Sequence, residues 1–196
     1  ANGLSGSTNI NVLPVGTLAA GPINLLTYAG TSTLAFTSSL PHLIAASVTD
    51  TGAGQIQLNH GGQETLTWTG GTNGLWNTTP ANANFNASTS GAVAFLQGDV
   101  SVFDSATAPA NTAITIAAGG VTPASVVIND ATGAFAFTGG AITGGTSLVK
   151  NGAGTTVMAA NNTYSGGTLL SRTRHYDGGY RGFGLSLAGG NSGTRT

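Results

Sequence analysis

The side chains able to carry acid–base chemistry are few and scattered. Asp99 and Asp104 make the best carboxylate pair. Their separation of five is odd, so a regular strand places them on opposite faces. They read as turn residues that end a strand, with a metal or acid–base site as the less favoured alternative. His42 and His60 stand alone, and Glu64 near His60 has no third group to complete a relay. No Gly-x-Ser-x-Gly elbow occurs, no glycine run is followed by the Lys-Ser/Thr of a phosphate loop, and no His spacing suits zinc. With no cysteine there is neither a thiol nucleophile nor a disulfide framework. The expectation is a protein without catalytic residues, metal ligands or cofactor.

Recognition chemistry is more plausible than catalysis. Trp68 and Trp76 flank Gly70-Gly71-Thr72-Asn73-Gly74, and exposed indoles beside such a loop would suit stacking on a glycan. Tyr176 and Tyr180 lie in a stretch with Arg172, Arg174 and Arg181. That mixture would suit an anionic glycan or a nucleic acid. A solvated cap or a contact with another subunit is the preferred reading, and no nucleic-acid partner is expected.

Composition narrows the class. Of 196 residues only 6% are charged, 32 are Gly, and the net charge is -1. Disorder requires high net charge and low hydrophobicity; here mean hydropathy is +0.17. So little charge protects a free monomer poorly against association. Lys150, Arg172, Arg174, Arg181 and Arg195 are the only basic residues, so the body is faintly acidic and the end basic. No apolar run is long enough to cross a bilayer as a helix.

The elements that would position these residues are strands. Helical periodicity is nearly absent, while short alternating runs recur every 8–12 residues between Gly-Gly, Asn-Gly and Asn-Asn turns. Two stretches, 135–150 and 157–172, overlay at an offset of 22 residues, with Gly144 and Gly145 falling on Gly166 and Gly167 and Lys150 on Arg172. At steps of 21 and 22, Ile114, Phe135 and Val157 recur; Val126, Leu148 and Leu170 recur at 22. A period near 20 residues with paired turn glycines marks a chain that coils on itself, equivalent residues stacking about 4.8 Å apart. The expected core is Phe135, Phe137, Leu148, Val157 and Leu170, with Gly144, Gly145, Gly166 and Gly167 at the corners.

Residues 147–168 also resemble the autotransporter-associated β-strand repeat. The likeness rests on Lys150, Gly152, Gly154 and Thr155, then Asn162, Thr163, Tyr164, Gly166, Gly167 and Thr168. Upstream, the stretch from Trp68 to Trp76 and the Gly98-Asp99 and Phe103-Asp104 segment look like modules that precede such repeats in large bacterial surface proteins. The resemblance implies a right-handed parallel β-helix, secreted or on a bacterial cell surface. No segment like a terminal membrane barrel is seen, so the chain is not expected to export itself.

These readings converge on an all-β protein, a right-handed parallel β-helix, with an antiparallel β-sandwich as the alternative. Residues 1–65 are expected as an irregular β region, the end of a preceding module; 66–171 as the solenoid; and 172–196 as a basic Gly-rich tail. The expected role is an extracellular scaffold, a filament or stalk segment, either self-associating head to tail or part of a larger surface protein. The alternative is an adhesin that binds glycan or a host surface.

Overall fold

The computed structural model describes residues 4–132 and 135–171, together with the backbone of one strand at Leu185–Leu187. Among these residues the single helical element is a 3-10 turn at Ser105–Thr107. The first strands are β1 (Leu4–Asn11), β2 (Ile23–Thr27), β3 (Ser32–Ser39), β4 (Ser47–Asp50) and β5 (Gln55–Asn59). β1 and β3 form a parallel two-stranded ribbon, whereas β2, β5 and β4 form an antiparallel sheet. Ile56 and Leu58 on β5 are buried there, which gives this region a small core of its own.

Coiling starts with β6 (Thr65–Trp68) and β7 (Leu75–Trp76). An antiparallel hairpin follows, β8 (Phe85–Ala87) and β9 (Gly91–Val93). The coil then resumes through β10 (Val100–Asp104) and β11 (Ala113–Ile116), β12 (Ser125–Asn129) and β13 (Ala136–Gly139). It continues through β14 (Ser147–Asn151) and β15 (Thr156–Met158), then β16 (Thr168–Leu170) and β17 (Leu185–Leu187). On one face β6, β10, β12, β14 and β16 stack in parallel; on the second, β7, β11, β13, β15 and β17 do so. A third side is joined through turns, with Thr143 N donating to Val121 O at 2.9 Å and Thr163 N to Ile142 O at 2.9 Å. The chain is therefore a parallel β-solenoid. Antiparallel pairing among the described residues is confined to the β2–β5–β4 sheet, to β8 against β6 and β9 against β8, and to a bridge between Leu43 and Gln63.

Strand alternation decides what points inward. On β12, Val126 and Ile128 are buried while Val127 and Asn129 face out. Leu66, Ser101, Val126 and Leu148 stack in one inner column. Ile114, Phe137 and Met158 make another. The outer face carries its own ladder, with Asn129 donating to Asp104 at 3.3 Å and Asn151 to Asn129 at 2.9 Å.

The repeat period is right on average and wrong in phase at three places. Ile114 pairs with Phe137, not Phe135, which is buried just before β13 begins. Val157 pairs with Ala136 and lies outward, 40% exposed, because Thr156 and Met158 take the inner positions of β15. The step from Ser125 to Ser147 is 22 residues, but from Leu148 to Thr168 it is 20. Leu170 consequently sits half-buried over Lys150 rather than over Leu148. Coil length varies at the corners, while strand pairing holds the register.

The corners are where backbones approach closest. Gly144 and Gly167 adopt φ of 75° and 84°, in the left-handed region that glycine occupies without strain. A Cβ on Gly166 would lie 2.6 Å from both Gly145 O and Thr146 O, and one on Gly145 would lie 2.6 Å from Val15 Cγ1. The end of the first face is not bare: β8 pairs antiparallel with β6, and β9 adds outside β8. Glu64 fastens that hairpin, accepting from Thr89 N at 2.9 Å, Ser90 N at 3.1 Å and Ser90 Oγ at 2.5 Å. Burial pushes the Glu64 carboxyl up, but the Ser90 and Thr89 hydrogen bonds outweigh it and hold the group down at about 2. The stretch 77–91 thus contains β8 and the start of β9, whose three-residue strands show too little alternation to be seen in sequence.

Two glycines test this corner packing. A Cβ on Gly140 would lie 1.9 Å from Ala117 O, whereas one on Gly119 would meet nothing within 4 Å. Gly140→Ala is expected to destabilise the solenoid by about 2 kcal/mol or more, and Gly119→Ala by less than about 1 kcal/mol. Urea midpoints of the two variants beside the wild type check this.

Candidate functional site

The side chains that sequence singled out do not converge on a reaction centre. Asp99 is fully buried at the turn before β10. Its carboxylate accepts from His42 N at 2.7 Å, Leu96 N at 2.7 Å and His42 Nδ1 at 2.9 Å. Asp104, at the end of the same strand, accepts from Ala106 N at 2.8 Å and opens the 3-10 turn. The two carboxylates therefore serve different partners. His60 Nδ1 accepts from Gly62 N at 3.1 Å, so Nε2 carries the ring proton; it is buried without a partner. Among the described residues no group of three or more His, Asp or Glu side chains is placed to hold a metal ion.

His42 and Asp99 act instead as a fastening. His42 belongs to the N-terminal region and Asp99 to the solenoid, so the pair ties the two together. The hydrogen bond to Asp99 raises the His42 pKa, burial opposes it, and the charges of Asp99 and Glu64 add to the rise. Beside this pair, Gln63 Nε2 donates to Gly98 O. A Cβ on Gly98 would lie 2.7 Å from Pro14 Cδ, so glycine there lets the N-terminal segment lie close against the solenoid.

Trp68 and Trp76, which would suit glycan stacking only if exposed, are fully buried. Both lie on inner strand positions and build the aromatic core of the first coil. Trp68 lies 5.1 Å from Phe85, and Trp76 lies 4.9 Å from Phe103 and 5.5 Å from Phe95. Trp68 Nε1 donates to Asn111 O at 2.7 Å. The alternation Leu66-Thr67-Trp68 carried this signal, since it places Trp68 on the same side as a buried leucine. Neither indole can stack on a ligand in this fold. Tyr176 and Tyr180, with the tail 172–196 apart from the Leu185–Leu187 backbone, lie outside the described residues.

Lys150, a repeat-motif residue that overlays Arg172 in the sequence, occupies an inner position of β14 and is 3% exposed. Its Nζ donates to Asn151 O at 2.8 Å, Gly152 O at 3.1 Å and Asp130 O at 3.2 Å. Two of these carbonyls follow in its own coil and the third comes from the coil below. Burial lowers the Lys150 pKa and the Asp130 charge opposes this. Thr156 Oγ1 donates to Asp130 Oδ2 at 3.0 Å, in the same corner. Asn162 Oδ1 accepts from Ile142 N at 2.8 Å, and Tyr164 Oη hydrogen-bonds Thr168 Oγ1 at 2.7 Å. The residues of the repeat motif are thus corner and core parts, placed to join one coil to the next.

The stacked parallel strands define the fold class as a parallel β-solenoid, with the motif residues at its corners and in its core. The family model of the passenger-associated-transport-repeat matches residues 148–172, spanning Lys150, Asn162, Tyr164, Gly166 and Gly167. The resemblance to an autotransporter-associated β-strand repeat is therefore shown for this stretch. Repeat and fold together fit a passenger-type surface protein, and the repeat family suggests a surface or extracellular location. No curated protein and no solved structure matches the chain. Among the described residues no helix is long and apolar enough to cross a membrane.

Lys150→Met keeps most of the buried stem and leaves three carbonyls without their donor. It is expected to cost about 2–3 kcal/mol, read as a lowered denaturation midpoint. His42 makes a pH prediction. Its folded-state pKa lies above the unfolded value, so its stabilisation is complete below the ordinary value of 6.5 and is lost as pH rises through the folded one. Unfolding free energy should decline over that rise, and His42→Gln should flatten the decline in denaturant titrations across pH.

Proposed function

We propose that this chain is a non-catalytic structural segment of an extracellular surface protein, a length of β-solenoid stalk. The observation that carries the reading is the placement of the repeat motif: Lys150 and Asn162 are turned into joints between coils, and Tyr164 is buried with its hydroxyl on Thr168. The groups that could act on a substrate are engaged likewise, Asp99 by His42 and Glu64 by Ser90. Between the scaffold forms, a stalk segment is favoured over a filament built head to tail. The hairpin β8–β9 already lies along β6, where a stacking copy would have to pair.

An adhesin remains the second reading, carried by an outer face instead of the tryptophans. Val102, Val127, Val149 and Leu169 stand in one outward column beside Asp104, Asn129 and Asn151. The two readings separate on a glycan and matrix-protein array probed with the purified chain, alongside display of the chain on bacteria by a carrier barrel. The stalk reading expects protease-resistant surface display and no saturable array signal. A saturable signal abolished by Val149→Asp would replace it with the adhesin reading, and turnover of a polysaccharide would overturn both.

A further inference from the structure

The main-chain ladder that joins the coils does not run through the whole molecule. The β1–β3 and β2–β5–β4 sheets stand by themselves, and neither continues into the two solenoid sheets. The apolar cores are separate as well. Ile56 and Leu58 are buried within the N-terminal region, while the solenoid core runs from Leu66 to Tyr164 without them. Two bodies that share neither core nor sheet move apart unless specific contacts hold them. Among the described residues, the hydrogen bonds from residues before 64 to the solenoid centre on His42. Its carbonyl accepts from Glu64 N at 2.9 Å, its amide donates to Asp99 Oδ1 at 2.7 Å, and its Nδ1 donates to Asp99 Oδ2 at 2.9 Å. Gln63 Nε2 donates to Gly98 O, and Gln63 Oε1 accepts from Leu18 N at 3.2 Å, which ties the segment carrying Pro14 to the same place. Packing across the joint is light: Pro14 lies over Gly98, and Val15, 82% exposed, lies over Gly145.

We infer that His42 is a pH-operated latch: with its ring protonated the region before Glu64 stays docked on the solenoid, and with the ring neutral that region swings away while the coils stay folded. The geometry suits the ring to this role. Its side chain is 18% exposed and exchanges protons with solvent, whereas Asp99 is sealed at 0%. The charged groups that face it are Asp99, on the turn before β10, and Glu64, at the entry to β6. Both are acidic, and the Ser90 and Thr89 hydrogen bonds keep Glu64 ionised. His60 is turned to Gly62, whose amide its Nδ1 accepts at 3.1 Å. Lys150 is engaged by carbonyls of its own corner. Among the described residues the ring proton of His42 therefore supplies the positive charge at this joint. The Asp99 hydrogen bond raises the His42 pKa, burial opposes the rise, and the two acidic charges add to it. Undocking takes Asp99 away from the ring, so proton binding and docking favour each other. Docking is firmest below the ordinary value of 6.5 and weakens as pH rises through the docked-state value. The neutral ring still reaches Asp99 through Nδ1, but the buried carboxylate then lacks its countercharge. This rests on the joint and not on the stalk reading.

Hydrogen–deuterium exchange of the full chain, corrected for the intrinsic effect of pH on exchange, tests it. The His42 and Leu96 amides both donate to Asp99 and report the joint directly. Between a pH below 6.5 and about pH 9 their opening should increase by about fivefold or more, while the amides of β12 and β14 keep their protection. His42→Gln keeps a side-chain donor for Asp99 but has no proton to lose near neutrality, and it should flatten the change. The imidazole resonances of His42 should titrate above 6.5, with the same midpoint as the opening. Opening that ignores pH, opening shared equally by β12 and β14, or a pH response retained in His42→Gln would overturn the proposal. If His42→Gln does not fold, the wild-type midpoints decide: agreement supports the latch, and a separation of more than about one pH unit removes it.

Discussion

One constraint organises the molecule: every coil must lie on the coil below in parallel main-chain register. Residues on the strands meet it easily, because any β-former pairs at the strand spacing. The corners meet it only where a backbone can turn while a carbonyl of the neighbouring coil sits against it. That is why a Cβ at Gly140, Gly152 or Gly166 would approach such a carbonyl to between 1.9 and 2.6 Å. The glycine content, which in a flexible chain would argue for disorder, here serves close stacking.

The same constraint explains the buried polar groups. Parallel stacking satisfies main-chain bonds along strands and leaves carbonyls at the corners short of donors. A coil cannot recruit water into its interior, so side chains supply what is missing. Lys150 brings one flexible cation to three carbonyls, Asn162 closes the Ile142 amide, and Thr146 Oγ1 donates to Thr143 O at 2.8 Å. A polar residue type fixed at each corner yields a repeat motif readable in sequence. Where the passenger-associated-transport-repeat matches, Lys150 and Asn162 meet this hydrogen-bond demand.

How much of this was legible follows from the same logic. The solenoid was visible because Gly144 and Gly166 repeat a corner, and corners carry the strict requirement. The phase of individual strands was less visible, because coils differ in length between corners. Val157 was placed inside on its apolarity, yet strand alternation gave the inner positions to Thr156, bonded to Asp130, and Met158. The motif marks Lys150, but nothing in one sequence shows three carbonyls converging on its ammonium group. A glycine-rich loop between Trp68 and Trp76 suggests a glycan contact only if the indoles are exposed, and alternation with Leu66 points Trp68 inward. Pairings between distant segments, such as His42 with Asp99 or β8 with β6, leave no local pattern at all.

End effects complete the picture. A solenoid is stable in its middle and vulnerable at its ends, where coil edges offer unpaired main chain. This chain, with 6% charged residues, has few charges with which to repel a partner strand. It protects β6 by geometry, folding β8 and β9 back along it and pinning the turn with the buried, ionised Glu64. At β7 it keeps the edge to two residues and fills the adjoining loop with Asn84, which accepts from Thr72 N at 3.0 Å and Asn73 N at 2.9 Å.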